Sequence, residues 1–132
     1  MEEVKYGYTK RLEGASFASA EERIAAALKT EGFGVLTEID VRQTLAEKLG
    51  EEIRPYKILG ACNPPLARRA IGEEPAIGLL LPCNVVIREG DGGEVVVHIG
   101  KPLVMFEPVD NPGARELAAD VDARMRRVLE AI

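Results

Sequence analysis

The sequence predicts an α+β fold: an antiparallel sheet packed against helices on one face, in the order β-α-β-α-β-α-β-β-β-α. Three observations carry that reading. The runs "NVVIRE" and "EVVVHIG" flank "GDGG", and β-branched segments around a glycine-rich turn make an antiparallel hairpin. Stretches with the apolar period of a helix alternate with stretches of the two-residue period of a strand. No strand is followed by GxGxxG or GxxxxGK[ST], the glycine-rich turns that cradle phosphates.

Each element has its own grounds. Val4 to Leu12 reads as the first strand, with Val4, Tyr6 and Tyr8 on one face and Lys5, Thr9 and Arg11 on the other. The tyrosines suit a packed sheet face with hydroxyls at its rim. Ser19 and Glu22 in "SAEE" form a capping box for a first helix, striped with Ala20, Ile24, Ala27 and Leu28 and stopped by Gly32. "FGVLTEI" is a second strand, with Phe33, Val35, Thr37 and Ile39 sharing a face. Asp40 and Gln43 make a second capping box, Val41, Leu45 and Leu49 line that helix, and Gly50 ends it. "RPYKILGAC" is a third strand, Tyr56, Ile58, Gly60 and Cys62 alternating with Lys57, Leu59 and Ala61. Asn63 caps a short helix with Pro64 at its first position; it runs through Arg69 and stops near Gly72, and "GEEPAIG" is a connection. Beyond the hairpin, "PLVMF" reads as one more strand after a turn at "GKP". Asn111 and Pro112 start a long final helix striped with Leu117, Val121, Met125, Val128 and Ile132.

Composition bounds the function classes. The 132 residues suit a single domain spanning 1–132, with no linker or internal boundary. A chain of this size buries roughly 65–70% of its unfolded surface and needs no disulfide framework or structural metal. The net charge of −5 opposes binding to nucleic acid, which draws on excess Lys and Arg. Arg124, Arg126 and Arg127 lie close together but point in different directions on a helix, as a solvated face does. The longest apolar run, "IGLLLPCNVVI", contains a proline and falls short of the ~20 residues of a membrane span. The opening "MEEVKYGYTK" is acidic and has no apolar core, so no secretory signal is expected and the location is read as cytoplasmic, where thiols stay reduced.

The chemistry-bearing residues are few. Cys62 ends a strand just ahead of a helix, where backbone N–H groups favour a thiolate. Pro64 and Pro65 remove two of those donors, Leu66 and Ala67 keep theirs, and Asn63 is drawn into the cap. Cys83 stands between Pro82 and Asn84 at the start of a strand. Each cysteine is readable as a small buried apolar residue or as a reactive thiol. A transient redox pair stays open, though the spacing is unlike CxxC. His98, within "VVVHIG", reads as a structural or rim histidine; with the two cysteines it makes only a scattered set of soft ligands, so metal binding across a dimer is a third and trailing reading, and no cofactor motif is expected. Glu21, Glu22, Glu73 and Glu74 read as solvated charges. Arg54 and Lys57 before Cys62, with Arg68 and Arg69 after it, flank the corner with cations that suit a small anion as well as ordinary surface.

Three motifs, "GFGVLTEIDV", "RPYKILGACNPPLARRAI" and "IGLLLPCNVVI", resemble the domain-of-unknown-function 302 family, from about Gly7 to the final helix. The resemblance implies a TATA-binding-protein-like arrangement of sheet and helices, one copy per chain and a homodimer, with Cys62, Asn63, Pro64, Cys83 and Asn84 as signature positions. It implies no reaction, and the fold likeness carries no DNA binding with it. The expectation is therefore a small cytoplasmic homodimeric ligand-binding or accessory module without catalysis of its own, with a site for a small-molecule or anionic ligand near Cys62, Asn63, Pro64, Cys83, Asn84 and Lys57. The alternative is a thiol-dependent enzyme or redox sensor working through Cys62.

Overall fold

The computed structural model describes residues 4–132, so the first three residues of the expected 1–132 domain lie outside the described residues. The fold is α+β. Five strands form one antiparallel sheet in the order β1-β5-β4-β3-β2. They are β1 (Gly7–Leu12), β2 (Gly34–Asp40), β3 (Tyr56–Cys62), β4 (Cys83–Glu89) and β5 (Val95–Gly100). The glycine-turn hairpin forms as expected, with Val85 opposite Ile99 and Glu89 opposite Val95.

Helices α1 (Phe17–Thr30) and α5 (Pro112–Ala131) cover one face. Alternation along the strands sends Leu59, Ala61, Val85, Ile87, Val95, Val97 and Ile99 to that face. They meet Ala20, Ile24, Ala27 and Leu28 of α1 and Met125 and Val128 of α5, the stripes expected from periodicity. A second cluster lies around α5. There Leu117 and Ala118 pack on Leu66 and Ala70 of α3 (Pro64–Glu73), with Ile77 and Phe106 beside them. Helix α2 (Val41–Leu49) buries no residue.

Several boundaries differ from expectation. The first strand starts at Gly7, and Tyr6 is exposed. Helix α1 is capped by Ser16, whose Oγ accepts from the Ser19 N–H at 3.1 Å; Ser19 is inside the helix. Asp40 caps α2 through the Gln43 N–H at 2.9 Å, but the Gln43 amide turns to Glu47, so the reciprocal half of that box does not form. A bulge between Val35 and Thr37 splits the single face expected of β2. Val35 stands opposite Ala61, whose side chain is in the core, whereas Thr37 and Ile39 stand opposite Gly60 and Ile58 on the other face. The short third helix continues past Gly72 to Glu73, and the expected connection holds a 3₁₀ segment, Pro75–Leu80.

The sixth strand is overturned. "PLVMF" forms one helical turn, α4 (Pro102–Met105). β5 already pairs with β1 on one side and β4 on the other, so no edge is free beside it. Pro102 has no N–H for a ladder, and its fixed φ suits a first helical position.

One close approach locks the sheet's end. A Cβ at Gly60 would collide with Thr37 Oγ1 and lie 2.8 Å from Pro82 Cγ. Gly60→Ala is therefore expected to lower unfolding free energy by about 1–3 kcal/mol, as overpacking does. The urea midpoint reads it, and adding Thr37→Ala restores part of the loss. A Gly60→Ala protein as stable as the parent would contradict this packing.

Candidate functional site

The ends of β3 and β4 build one corner. The register Gly60↔Asn84 and Ala61↔Cys83 brings the two Cys-Asn dipeptides to the same end of the sheet. Between them lies an apolar cleft of about 80 Å³, bordered by Cys62, Asn63, Cys83 and Asn84 and walled by Leu66 and Phe106 among others. Pro64 and Lys57 do not border it. Pro64 is exposed at the first position of α3. Lys57 is held on the helix side by Glu38 at 2.7 Å and Glu21 at 3.0 Å. Those carboxylates push its pKa up, Glu38 foremost. Glu21 is thus an ion-pair partner rather than a merely solvated charge. Arg54 lies at the opposite end of β3, against Gly90 O and Glu89, and Arg68 and Arg69 are exposed on α3. Among the described residues no cation lines the thiol cleft.

Asn63 is committed to the fold. Its Oδ1 accepts from the Leu66 N–H at 3.3 Å, and its Nδ2 donates to Glu31 O at 3.3 Å. The Ala67 N–H donates to Asn63 O at 2.8 Å. The two donors left after Pro64 and Pro65 are therefore both used, and no free amide of that first turn faces the Cys62 sulfur. Asn84 is exposed at the cleft mouth, and its side-chain amide has no hydrogen-bond partner among the described residues.

Both thiols are free. Because Ala61 is the direct partner of Cys83, Cys62 stands one residue beyond it, and strand alternation turns the two Cβ atoms to opposite faces. The Cys83 thiol is pushed up to about 11, first by burial and then by the charge of Cys62. At neutral pH it is an uncharged, core-packed group.

His98 does not border this cleft. It lies on the opposite sheet face, with Nδ1 2.9 Å from Thr9 Oγ1 and Nε2 accepting from Arg88 Nε at 2.9 Å. With Nε2 as acceptor, Nδ1 carries the proton and the ring is neutral. Burial lowers its pKa, and the charges of Arg88 and Arg11 lower it further. Both ring nitrogens are occupied, so no Cys-His pair forms. Among the described residues no group of three or more His, Cys, Asp or Glu is placed to hold a metal ion.

Sequence reasoning missed one polar cluster. Asp122 is only 4% exposed and accepts from the Tyr8 hydroxyl at 2.8 Å. Arg126 Nε lies 3.0 Å from Asp122 and donates to the same hydroxyl at 2.9 Å. Lys101 stands 5.0 Å from the Tyr8 ring centroid. Burial raises the Tyr8 pKa, with Arg126 opposing and Asp122 adding to the rise. The signal was available: Asp122 falls within the apolar stripe of α5, between Ala118 and Met125. A carboxylate on a buried stripe requires a partner. The cluster ties edge strand β1 to α5.

The profile of the domain of unknown function DUF302 matches residues 8–132. The chain belongs to the DUF302 family. A crystal structure of an uncharacterized conserved DUF302 protein from Bacillus stearothermophilus is similar at 32% identity, with a TM-score of 0.88. The match covers 97% of this chain and 98% of that one. No curated protein matches. The motifs "RPYKILGACNPPLARRAI" and "IGLLLPCNVVI" supply Cys62, Asn63, Leu66, Cys83 and Asn84 to the cleft.

The raised Cys83 pKa has a stability consequence. Below the ordinary thiol value both folded and unfolded chains hold the proton, and its contribution is complete. Between about 9 and 11 the unfolded chain has released a proton that the folded chain keeps, so stability falls as pH rises through that window. Urea midpoints across it are expected to decline less in Cys83→Ala. At pH 7.5 the folded protein exposes roughly 100-fold less Cys83 thiolate than an ordinary cysteine would, so alkylation at that residue lags its rate in urea by a similar factor. Equal rates folded and unfolded would show the thiol to be unshielded.

Proposed function

We propose that this DUF302 chain is a small-ligand binding module, a single domain acting as a cytoplasmic homodimer without catalysis of its own. The observation that supports it is the convergence of both Cys-Asn corners on one apolar cleft. Well-packed interiors hold few voids, and an apolar one takes up small apolar molecules when it is reachable. Asn84 supplies a polar group at its mouth, as ligand sites commonly do. Thiol chemistry draws less support, since Cys83 is held as a neutral thiol and the helix donors beside Cys62 are used. The net charge of −5 keeps nucleic acid out of the reading. No helix is long and apolar enough to cross a membrane among the described residues.

The proposed dimer takes its interface from β2 and α2. β2 is an edge strand that exposes Val35, Leu36 and Ile39, with Leu36 67% exposed. α2 has nine residues and exposes Leu49, yet a helix that short is marginal without packing. A second copy laid on this edge would cover these exposed apolar side chains, and a stable interface needs about 800 Å² from each partner.

Two measurements test these readings. Saturating benzene is expected to shift the methyl resonances of Leu66, Leu81 and Met105 in a carbon–proton correlation spectrum, and to leave Ile24 unmoved; no movement at the cleft removes the ligand site. Sedimentation equilibrium is expected to give twice the 14.3 kDa chain mass, falling to the single mass in Leu36→Lys/Leu49→Lys with an unchanged circular dichroism spectrum. A parent protein that sediments as one chain refutes the dimer.

A further inference from the structure

The sheet face turned away from α1 and α5 carries three rows of side chains in register. Tyr56, Arg88, Val96 and Arg11 form one, and Ile58, Val86, His98 and Thr9 the next. The third row holds Gly60 opposite Asn84 and Gly100 opposite Gly7. Over these rows lies a groove of about 430 Å³, bordered by Tyr6, Tyr56, Val86 and Met105. That volume is within the ~300–1,000 Å³ of small-molecule sites.

At one end stands a prepared cation. Arg88 Nε is fixed on His98, which is fixed in turn on Thr9. The guanidinium keeps its two Nη groups, the fork that grips a carboxylate with two bonds. Among the described residues no carboxylate lies within salt-bridge distance of it. Its neighbours in the fold are taken, Glu94 by Arg11 at 3.2 Å and Glu89 by Arg54 at 3.8 Å. The neutral state of His98 serves this arrangement, because only an unprotonated Nε2 can accept from Arg88.

At the other end the groove runs into the cleft. Asn84, Gly100 and Met105 border both. Among the described residues a Cβ on Gly100 would meet nothing within 4 Å, so no packing neighbour there demands glycine. In a strand, where glycine is disfavoured, its missing side chain keeps the junction open.

We propose that groove and cleft hold one extended ligand, a carboxylate on an unbranched apolar chain. The carboxylate sits on Arg88, and the chain crosses the glycine row into the cleft beside Cys83. Arg88 and Asn84 are four residues apart on β4, about 13 Å at ~3.3 Å per residue, so short acids reach only one end. The tail half of this proposal rests on the cleft reading given above.

Hexanoate, octanoate and decanoate titrated into the full chain test it by backbone and methyl chemical shifts. Decanoate is expected to move Arg88, His98, Gly100 and Leu66 together, and affinity is expected to rise roughly fourfold per added CH₂. Arg88→Gln weakens decanoate at least tenfold and leaves 1-decanol unchanged. Gly100→Val, a substitution that strands favour, removes the dependence on chain length while His98 shifts with hexanoate persist. Decanoate that binds equally well to Arg88→Gln, or less well than decyl phosphate, overturns the carboxylate assignment. Self-association through the Arg88 face with no response to decanoate overturns the proposal in favour of a second copy. Benzene separates the two readings: cleft shifts with benzene and none with decanoate reject the extended ligand alone, whereas decanoate shifts confined to Arg88, with benzene inert, reject the cleft as well.

Discussion

The pairing of β3 with β4 is the constraint on which the rest depends. Its register, Ala61 against Cys83, does two things at once. It closes the sheet at its centre, placing Leu59, Ala61, Val85 and Ile87 under α1 and α5. It also carries two dipeptides from opposite ends of a long connection to one corner. A slip of one residue would invert every side chain on β4, moving Val85 and Ile87 out of the core and Arg88 into it. The apolar core therefore sets the register, and the register sets the corner. Gly60 and the bulge near Leu36 are local adjustments that let Thr37 and Pro82 pass close to that corner.

Much of this was legible in the sequence, because the strongest patterns arise where one face is buried. The stripes of α1 and α5 and the hairpin around "GDGG" follow from burial and turn chemistry, which are local. The misreadings occur where local signals compete. Ser16 and Ser19 are both good caps, and only the path of the chain decides between them. "PLVMF" has strand composition, but a strand requires a free edge, and edges are a property of the whole sheet. The bulge in β2 is invisible to a two-residue period, since an inserted residue preserves composition while reversing faces. At the site, Cys62, Asn63, Cys83 and Asn84 were readable as a group through their motifs. Lys57 was not readable as an ion-pair partner, because Glu21 and Glu38 reach it from other elements.

The polar groups divide by sheet face. On the helix side each charge that approaches the core is tied: Asp122 to Tyr8 and Arg126, and Lys57 to its two glutamates. Burial there penalises any unpaired charge, so these contacts chiefly avoid a loss. The thiol of Cys83 follows the same rule by staying protonated. Asn63 spends its amide joining the start of α3 to the end of α1 at Glu31, whose carbonyl also receives Arg124. Of the cations that flank the cysteines in sequence, Arg54 and Lys57 are held in structural pairs and Arg68 and Arg69 stand exposed on α3.

The other face is built differently. Val86, Ile58 and Tyr56 are only half-buried there, so they return less hydrophobic free energy than the same residues would beneath a helix. Arg88 is fixed by a neutral histidine rather than neutralised by a carboxylate. Gly7 and Gly100 oppose each other, where a β-branched pair would strengthen the ladder. A strand glycine costs about 0.5–1 kcal/mol relative to alanine. A Cβ at Gly7 would press on Ile99 O at 3.3 Å, which accounts for one of the two. Gly100 has no such neighbour among the described residues, whose packing leaves that loss uncompensated. A fold that packs its helices on one face and leaves the other with an oriented guanidinium, an apolar floor and an unfilled junction has placed its stability and its recognition on opposite sides of the same strands.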